Sequence, residues 1–243
     1  MKLQKLLSLV RQAVENYEMI QAGDRIAVGV SGGKDSLTLL MALKELSRFY
    51  PQSFEVCAVS VDLGFGNTDY TKVQRFCREL QVDFSVVPTQ IGRIVMEERK
   101  EKNPCALCAK LRKGALVRRV QELSCNKIAY AHHKDDFVET MLLSLLFQGK
   151  FYAFPPVTWF EDTLLTVLRP LMLAEEAQVK GFCRRYQIPV MKSACPVDGK
   201  TMRAYAKKLL AQLQKEHPGV KERMFHAIVT GDIPDWPPNL KNR

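Results

Sequence analysis

RIAVGVSGGKDS, residues 25–36, decides the fold. Its first half, through Ser31, is a short, almost wholly apolar run rich in valine and isoleucine, the pattern of a strand buried on both faces. Its second half places two glycines, a lysine and small polar residues where that strand stops and a helix from about Leu37 to Tyr50 begins. Glycines let backbone N–H groups approach an anion closely, and a helix N-terminus adds a favourable dipole. Lys34 can neutralise phosphate charge, while Ser31 and Ser36 offer hydroxyls. The stretch is not a Walker A loop: Val28 stands where that motif needs its first glycine, and Asp35, not Ser or Thr, follows the lysine. It also lacks the G-x-G-x-x-G dinucleotide fingerprint. Asp35 would repel a phosphate unless a cation stood between them, which points to Mg²⁺.

Outward from this stretch, strand and helix patterns alternate. Strands are expected at Glu55–Leu63, Asp83–Thr89, Lys127–His132, Leu164–Leu168 and Val190–Lys192. Helices are expected at Tyr70–Leu80, after Cys108 through Gln121, at Asp135–Phe147 and at Ala174–Tyr186. Ile91–Pro104 and Gln148–Pro156 read as loops. Such alternation predicts an α/β fold, a Rossmann-like parallel sheet with helices on both faces. Leu3, Leu6, Leu7, Val10, Val14 and Tyr17 share one helical face, so residues 1–20 read as a docked amphipathic helix and not a signal peptide. Residues 21–198 then form the main domain. Residues 199–243 form a basic helical extension with a proline-rich tail at Asp232–Pro238.

The chain has 243 residues, of which 47% are hydrophobic and 26% charged, the range of ordinary globular proteins. No apolar run reaches about eighteen residues, so no membrane span is expected and a cytoplasmic location is. A formal charge of +10 suits a polyanionic partner without specifying one.

Seven cysteines without a secretion signal argue for metal or redox chemistry over a disulfide framework. Cys105 and Cys108 form a Cys-x-x-Cys pair ahead of a helix carrying Lys110, Arg112, Lys113, Arg118 and Arg119, cations that favour thiolate. Cys57, Cys77 and Cys183 sit in apolar or amphipathic runs as small core residues. Cys125 lies in a turn without a ligand-like neighbour. Cys195 falls beyond the last expected strand, where a parallel sheet presents its crevice. Spacing alone leaves open a [4Fe–4S] cluster on Cys105, Cys108 and Cys195, a zinc site completed by a histidine or Cys195, and a dithiol redox pair. His132 and Asp135, at a strand end and the following helix start, are candidate pocket residues; N-capping is the structural alternative for the aspartate.

SGGKDS after a buried strand resembles the PP-loop of the ATP-pyrophosphatase (N-type) superfamily, with its adenine nucleotide alpha hydrolase-like fold. That resemblance implies cleavage of ATP to AMP and pyrophosphate, with adenine held near Val59 and Val61. CALCAKLRKG (105–114), HHKDD (132–136) and RPL (169–171) follow in the order of the tRNA 2-thiocytidine synthetase family. This similarity covers residues 25–203. It implies ATP-dependent thiolation of cytidine 32 with Mg²⁺ and a [4Fe–4S] cluster on three cysteines. It further implies ATP-binding roles for Ser31, Gly32, Gly33, Lys34, Asp35, Ser36, Val59, Val61, His132 and Arg169, with Lys34, Asp35 and Asp135 catalytic. The chain is shorter than the best-known members, and where they tend to have a second Cys-x-x-Cys it has Cys195 alone. Expected partners are tRNA, bound by the basic helices, and a sulfur donor such as a cysteine desulfurase; a homodimer is compatible with this. Competing readings are a PP-loop tRNA ligase, a sulfurtransferase for another base or small molecule, and a non-catalytic zinc-stabilised nucleic-acid-binding protein.

Overall fold

Alternate residues along each central strand face opposite helical layers, and this period of two builds the molecule. In the computed structural model, β1 (Asp24–Gly29), β2 (Phe54–Asp62), β3 (Phe84–Pro88), β4 (Lys127–Ala129), β5 (Val157–Phe160) and β6 (Leu165–Leu168) form one six-stranded sheet. Its order is β3-β2-β1-β4-β6-β5. The structure describes residues 1–66, 68–99, 104–192, 194–195, 202–231, 233 and 236. Apart from Ile233 and Trp236, the expected proline-rich tail lies outside them.

Ile26, Val28, Ala58, Ala129 and Leu168 point into the larger core. There they meet α1 (Leu3–Asn16), α2 (Lys34–Ser47), α6 (Lys134–Gln148), α7 (Glu176–Arg185), α8 (Met202–Glu216) and α9 (Val220–Thr230). Ala27, Cys57, Val59, Ile128 and Val167 point the other way, onto Leu116 and Val120 of α5 (Pro104–Glu122). Beside these lies the short α4 (Ile91–Arg93), which continues as a π-helical turn at Ile94–Glu98, while Val73 and Cys77 of α3 (Thr71–Glu79) pack into the larger core. Residues of α1, α8 and α9 share the core of the sheet. No helix among the described residues is long and apolar enough to cross a membrane.

All pairings are parallel except β5 with β6. The chain moves outward from β1 through β2 to β3, then returns to place β4 on the other side of β1. The helical connections therefore diverge between β1 and β4, which opens a crevice at the carboxyl ends of these strands.

Three expectations are corrected. Val190–Lys192 is not a strand; it runs as extended coil over the glycine turn, and its one ladder-like bond is Met191 N–H to Gly32 O at 2.8 Å. Val157–Phe160, unassigned from sequence, is the antiparallel edge strand, too short to register as a run of its own. The supposed loop after Ile91 contains helical turns, and α5 starts at Pro104, a residue suited to the first helical position. Cys105 and Cys108 therefore lie within the first turns of α5 rather than ahead of it.

At the opposite end of the strands, Lys127 Nζ meets Asp24 Oδ2 at 2.6 Å and Met19 O at 3.0 Å, with both side chains buried. Asp24 also accepts bonds from Gln21 N–H and Asn126 Nδ2. A buried pair broken on one side leaves an uncompensated charge. Lys127→Met is therefore expected to destabilise the chain by about 3–5 kcal/mol, read from its urea unfolding midpoint.

Candidate functional site: a cleft shared by a glycine turn and three cysteines

The end of β1 turns into α2 through Ser31, Gly32 and Gly33. Gly32 has φ +79°, and a Cβ there would lie 2.8 Å from Met191 Sδ, so only glycine fits under that side chain. Gly33 is the N-cap of α2 and brings no side chain to its amides, which keeps them available to an anion. Ser36 Oγ donates to Gly33 O at 3.0 Å and accepts from Ser31 N–H at 3.2 Å; Gly33 N–H reaches Ser31 Oγ at 3.3 Å. The two hydroxyls thus hold the turn's shape.

Ser31, Gly33, Asp35 and Ser36 line a cleft of about 750 Å³, and so do Val59 and Val61 from the end of β2. That size suits a nucleotide-scale ligand. Cys105, Cys108, Cys195 and His132 open onto the same space.

Asp35 is split between two tasks. Its Oδ2 accepts from Lys34 Nζ at 2.8 Å, whereas Oδ1 is buried without a hydrogen-bond partner, 3.9 Å from His133 Nε2. An orphaned carboxylate oxygen beside anion-binding amides fits a divalent cation, and Asp35 is the residue that would hold Mg²⁺. Lys34 does not line the cleft. Its ammonium bridges Asp35 and Glu176 Oε1 (3.2 Å); burial opposes the charge, but the two carboxylates hold its pKa above the usual lysine value.

Cys105, Cys108 and Cys195 are the residues that would hold a cluster, since all three line the cleft. Among the described residues no three His, Cys, Asp or Glu side chains are grouped to share one metal ion. A cubane instead takes each cysteine on a separate iron. The three thiols are nonetheless within electrostatic reach. Burial raises the pKa of Cys108, Arg112 opposes this, and Cys195 and Cys105 raise it further, so a thiolate trio needs a cationic centre to balance it.

Two further expected site residues, like Lys34, lie outside the cleft lining. Both oxygens of Asp135 are engaged, Oδ2 by Glu176 N–H (2.7 Å) and Oδ1 by Lys221 Nζ (2.8 Å), and it lies outside the cleft lining. It joins α6 to α7 and α9, and the lining carboxylate is its neighbour Asp136, which accepts from His133 N–H at 2.9 Å. Arg169, also outside the lining, is buried and donates to Pro155 O (2.6 Å) and Thr158 Oγ1 (3.1 Å). It supports the cleft wall by fixing the chain between Phe154 and β5; burial lowers its pKa to about 10.

His132 stacks on Phe154 with ring centroids 4.5 Å apart. Burial, then the nearby Arg169 and Arg203, lower its pKa to about 3, so a neutral imidazole faces the cleft. Sequence reasoning left Arg112 among the surface cations of a basic helix. Cys105, Cys108, Ala109 and Arg112 follow the i, i+3, i+4, i+7 spacing of one helical face, and all four line the cleft. Cys125, read from sequence as lying in a turn without a ligand-like neighbour, sits 3.4 Å from the Cys57 sulfur in the core under α5.

A glycine turn from strand to helix at the switch point of a parallel sheet, without Walker A geometry, defines a nucleotide-binding protein of the PP-loop class. Residues 4–213 match the PP-loop domain family. A tRNA-cytidine(32) 2-sulfurtransferase from Geobacter sulfurreducens is 39% identical over 92% of this chain and 88% of its own length. The enzyme of that name from Anaeromyxobacter dehalogenans is 37% identical over 92% of this chain and 78% of its own. The chain belongs to this sulfurtransferase family within the PP-loop proteins. Among solved structures, the U34-tRNA thiolase NcsA from Methanococcus maripaludis, with its [4Fe-4S] cluster, shares the fold with a TM-score of 0.73. It is 21% identical, covering 90% of this chain and 77% of that one.

His132 provides a pH test. Its folded pKa of about 3 lies below the ordinary 6.5, so the unfolded chain binds the extra proton between these values. Its contribution to stability is complete above pH 6.5 and declines as the pH falls towards about 3. In NMR spectra its ring resonances are expected to stay constant from about pH 5 to 8, where an exposed histidine titrates.

Proposed function

We propose that this chain thiolates cytidine 32 of tRNA, activating the base with ATP and replacing its C2 oxygen with sulfur. One observation carries the proposal: the glycine turn and the three cysteines open onto a single cleft.

In the first step the C2 oxygen of the base attacks the α-phosphorus of ATP, a P–O bond forms, and pyrophosphate leaves. The amides at the start of α2 donate to the phosphate oxygens, and Asp35 Oδ1 would hold the Mg²⁺ that spreads their charge. In the second step hydrosulfide adds to C2 and the C2–O bond breaks, so AMP departs with the former base oxygen and a thiocarbonyl remains. Val59 and Val61 give the adenine an apolar wall. Arg112 places a cation in the cleft within electrostatic reach of Cys108, and neutral His132 can donate or accept a hydrogen bond without adding charge. Cys105, Cys108 and Cys195 would hold a [4Fe–4S] cluster, which supplies an iron without a protein ligand where sulfide can bind.

The position of Lys34 modifies its expected role. With its ammonium shared by Asp35 and Glu176, it orients the carboxylate that would meet the metal, and the loop amides carry direct phosphate contact.

Asp35→Asn is expected to lower kcat/KM for AMP formation by roughly a hundredfold at unchanged melting temperature. Persistent AMP release would remove Asp35 from the site. Cys195→Ala is expected to abolish 2-thiocytidine, measured by nucleoside mass analysis of the tRNA, and to leave the fold intact. Thiolation at the wild-type level would remove Cys195 from the chemistry.

A further inference from the structure

The last turn of α6 ends in three successive apolar residues, Leu145, Leu146 and Phe147, all exposed; Phe147 is 55% accessible. Exposed apolar runs of this kind are not needed by the fold, and they mark a surface that meets something. Tyr205 of α8, 52% accessible, stands against Phe147 with ring centroids 6.2 Å apart in edge contact. Phe151 and Tyr152, in the loop after α6, are also more than two-fifths exposed. Four aromatic rings are thus presented outward around the junction of α6, this loop and the first turns of α8.

The same surface is basic. No acidic residue occurs between positions 140 and 160 or between 201 and 215, whereas Lys150 and Lys208 are exposed there. Lys150 and Lys208 have no carboxylate partner among the described residues. The patch also adjoins cleft-wall residues along the chain. Two residues beyond Tyr152, Phe154 stacks on His132, and two residues before Tyr205, Arg203 holds the cleft-lining Asp136 at 2.8 Å.

We infer that this aromatic and basic surface binds the single-stranded loop of the tRNA, stacking its unpaired bases on Phe147, Phe151, Tyr152 and Tyr205 while one base enters the cleft. The inference rests on the tRNA reading above and specifies where the nucleic acid sits. A base that enters a cleft leaves its stack, and its neighbours lose a stacking partner that exposed rings replace. Aromatic rings flanked by cations are the usual means of holding single-stranded nucleic acid. A second copy of the chain suits the patch less well. An isologous contact sets a surface against itself, which would bring the unpaired Lys150 and Lys208 of both copies into one interface.

The test is binding of an anticodon stem–loop RNA containing cytidine 32 to the full chain, by fluorescence anisotropy at several salt concentrations. The double variant Phe147→Ser with Tyr205→Ser, at exposed positions and checked for an unchanged melting temperature, is expected to raise Kd roughly tenfold or more. Its salt dependence should match the wild type, because stacking releases no counterions. Tyr205→Phe keeps the ring and should bind like the wild type. Lys150→Ala with Lys208→Ala should flatten the salt dependence. Wild-type RNA binding with the double serine variant within about twofold of it overturns the inference. Loss of self-association in that variant at unchanged RNA affinity would assign the face to a protein contact instead. Failure of the wild-type chain to bind the RNA at all would sink the tRNA reading itself, and this surface with it.

Discussion

A single turn organises this molecule. At the end of β1 the chain must leave the sheet, adopt a positive φ at Gly32 and start α2 within four residues, with Met191 pressed over the turn. The sheet order makes this useful. With β2 on one side of β1 and β4 on the other, the connecting helices part above the turn, and the amides of α2 open onto the gap. A phosphate needs such unpaired donors on rigid supports. Here the rigidity comes from buried strands on both sides and from two serine hydroxyls that brace the loop internally.

Much of this was legible in the residues. RIAVGV is apolar without alternation because β1 is covered on both faces, and SGGKDS follows because a strand-to-helix turn that receives an anion needs glycine, small hydroxyls and a cation-compatible acid. The cysteine grouping was harder to read. Cys105 and Cys108 were recognisable by spacing, but Cys195 reaches their cleft from a segment distant in sequence, shortly after Met191 crosses the glycine turn. Lys34, Asp135 and Arg169 illustrate the opposite problem. Each is a plausible ligand by residue type, yet the partners that engage it come from distant elements: Glu176, Lys221 and the carbonyl of Pro155. Short elements were least legible, since four residues of β5 carry too little pattern to distinguish a strand from the loop beside it.

Charge is distributed with a division of labour. On the sheet's large-core side, acids at the starts of α6 and α7 face cations from the C-terminal hairpin: Asp136 with Arg203, Glu176 with Lys207 and Asp135 with Lys221. These partly shielded pairs assemble helices that are far apart in the chain. On the other side, Arg112, Lys113 and Lys192 line the cleft, and none has a carboxylate partner among the described residues. Structural cations are thus neutralised locally, and the cleft keeps unneutralised positive charge next to its thiols.

Asp136 has a mechanical consequence. One of its oxygens closes the first turn of α6 through His133 N–H, and the other grips Arg203 at the start of α8. The same carboxylate therefore joins the start of α8 to the turn that carries His132 and His133. The two C-terminal helices are thus tied to the cleft wall through the two oxygens of one carboxylate.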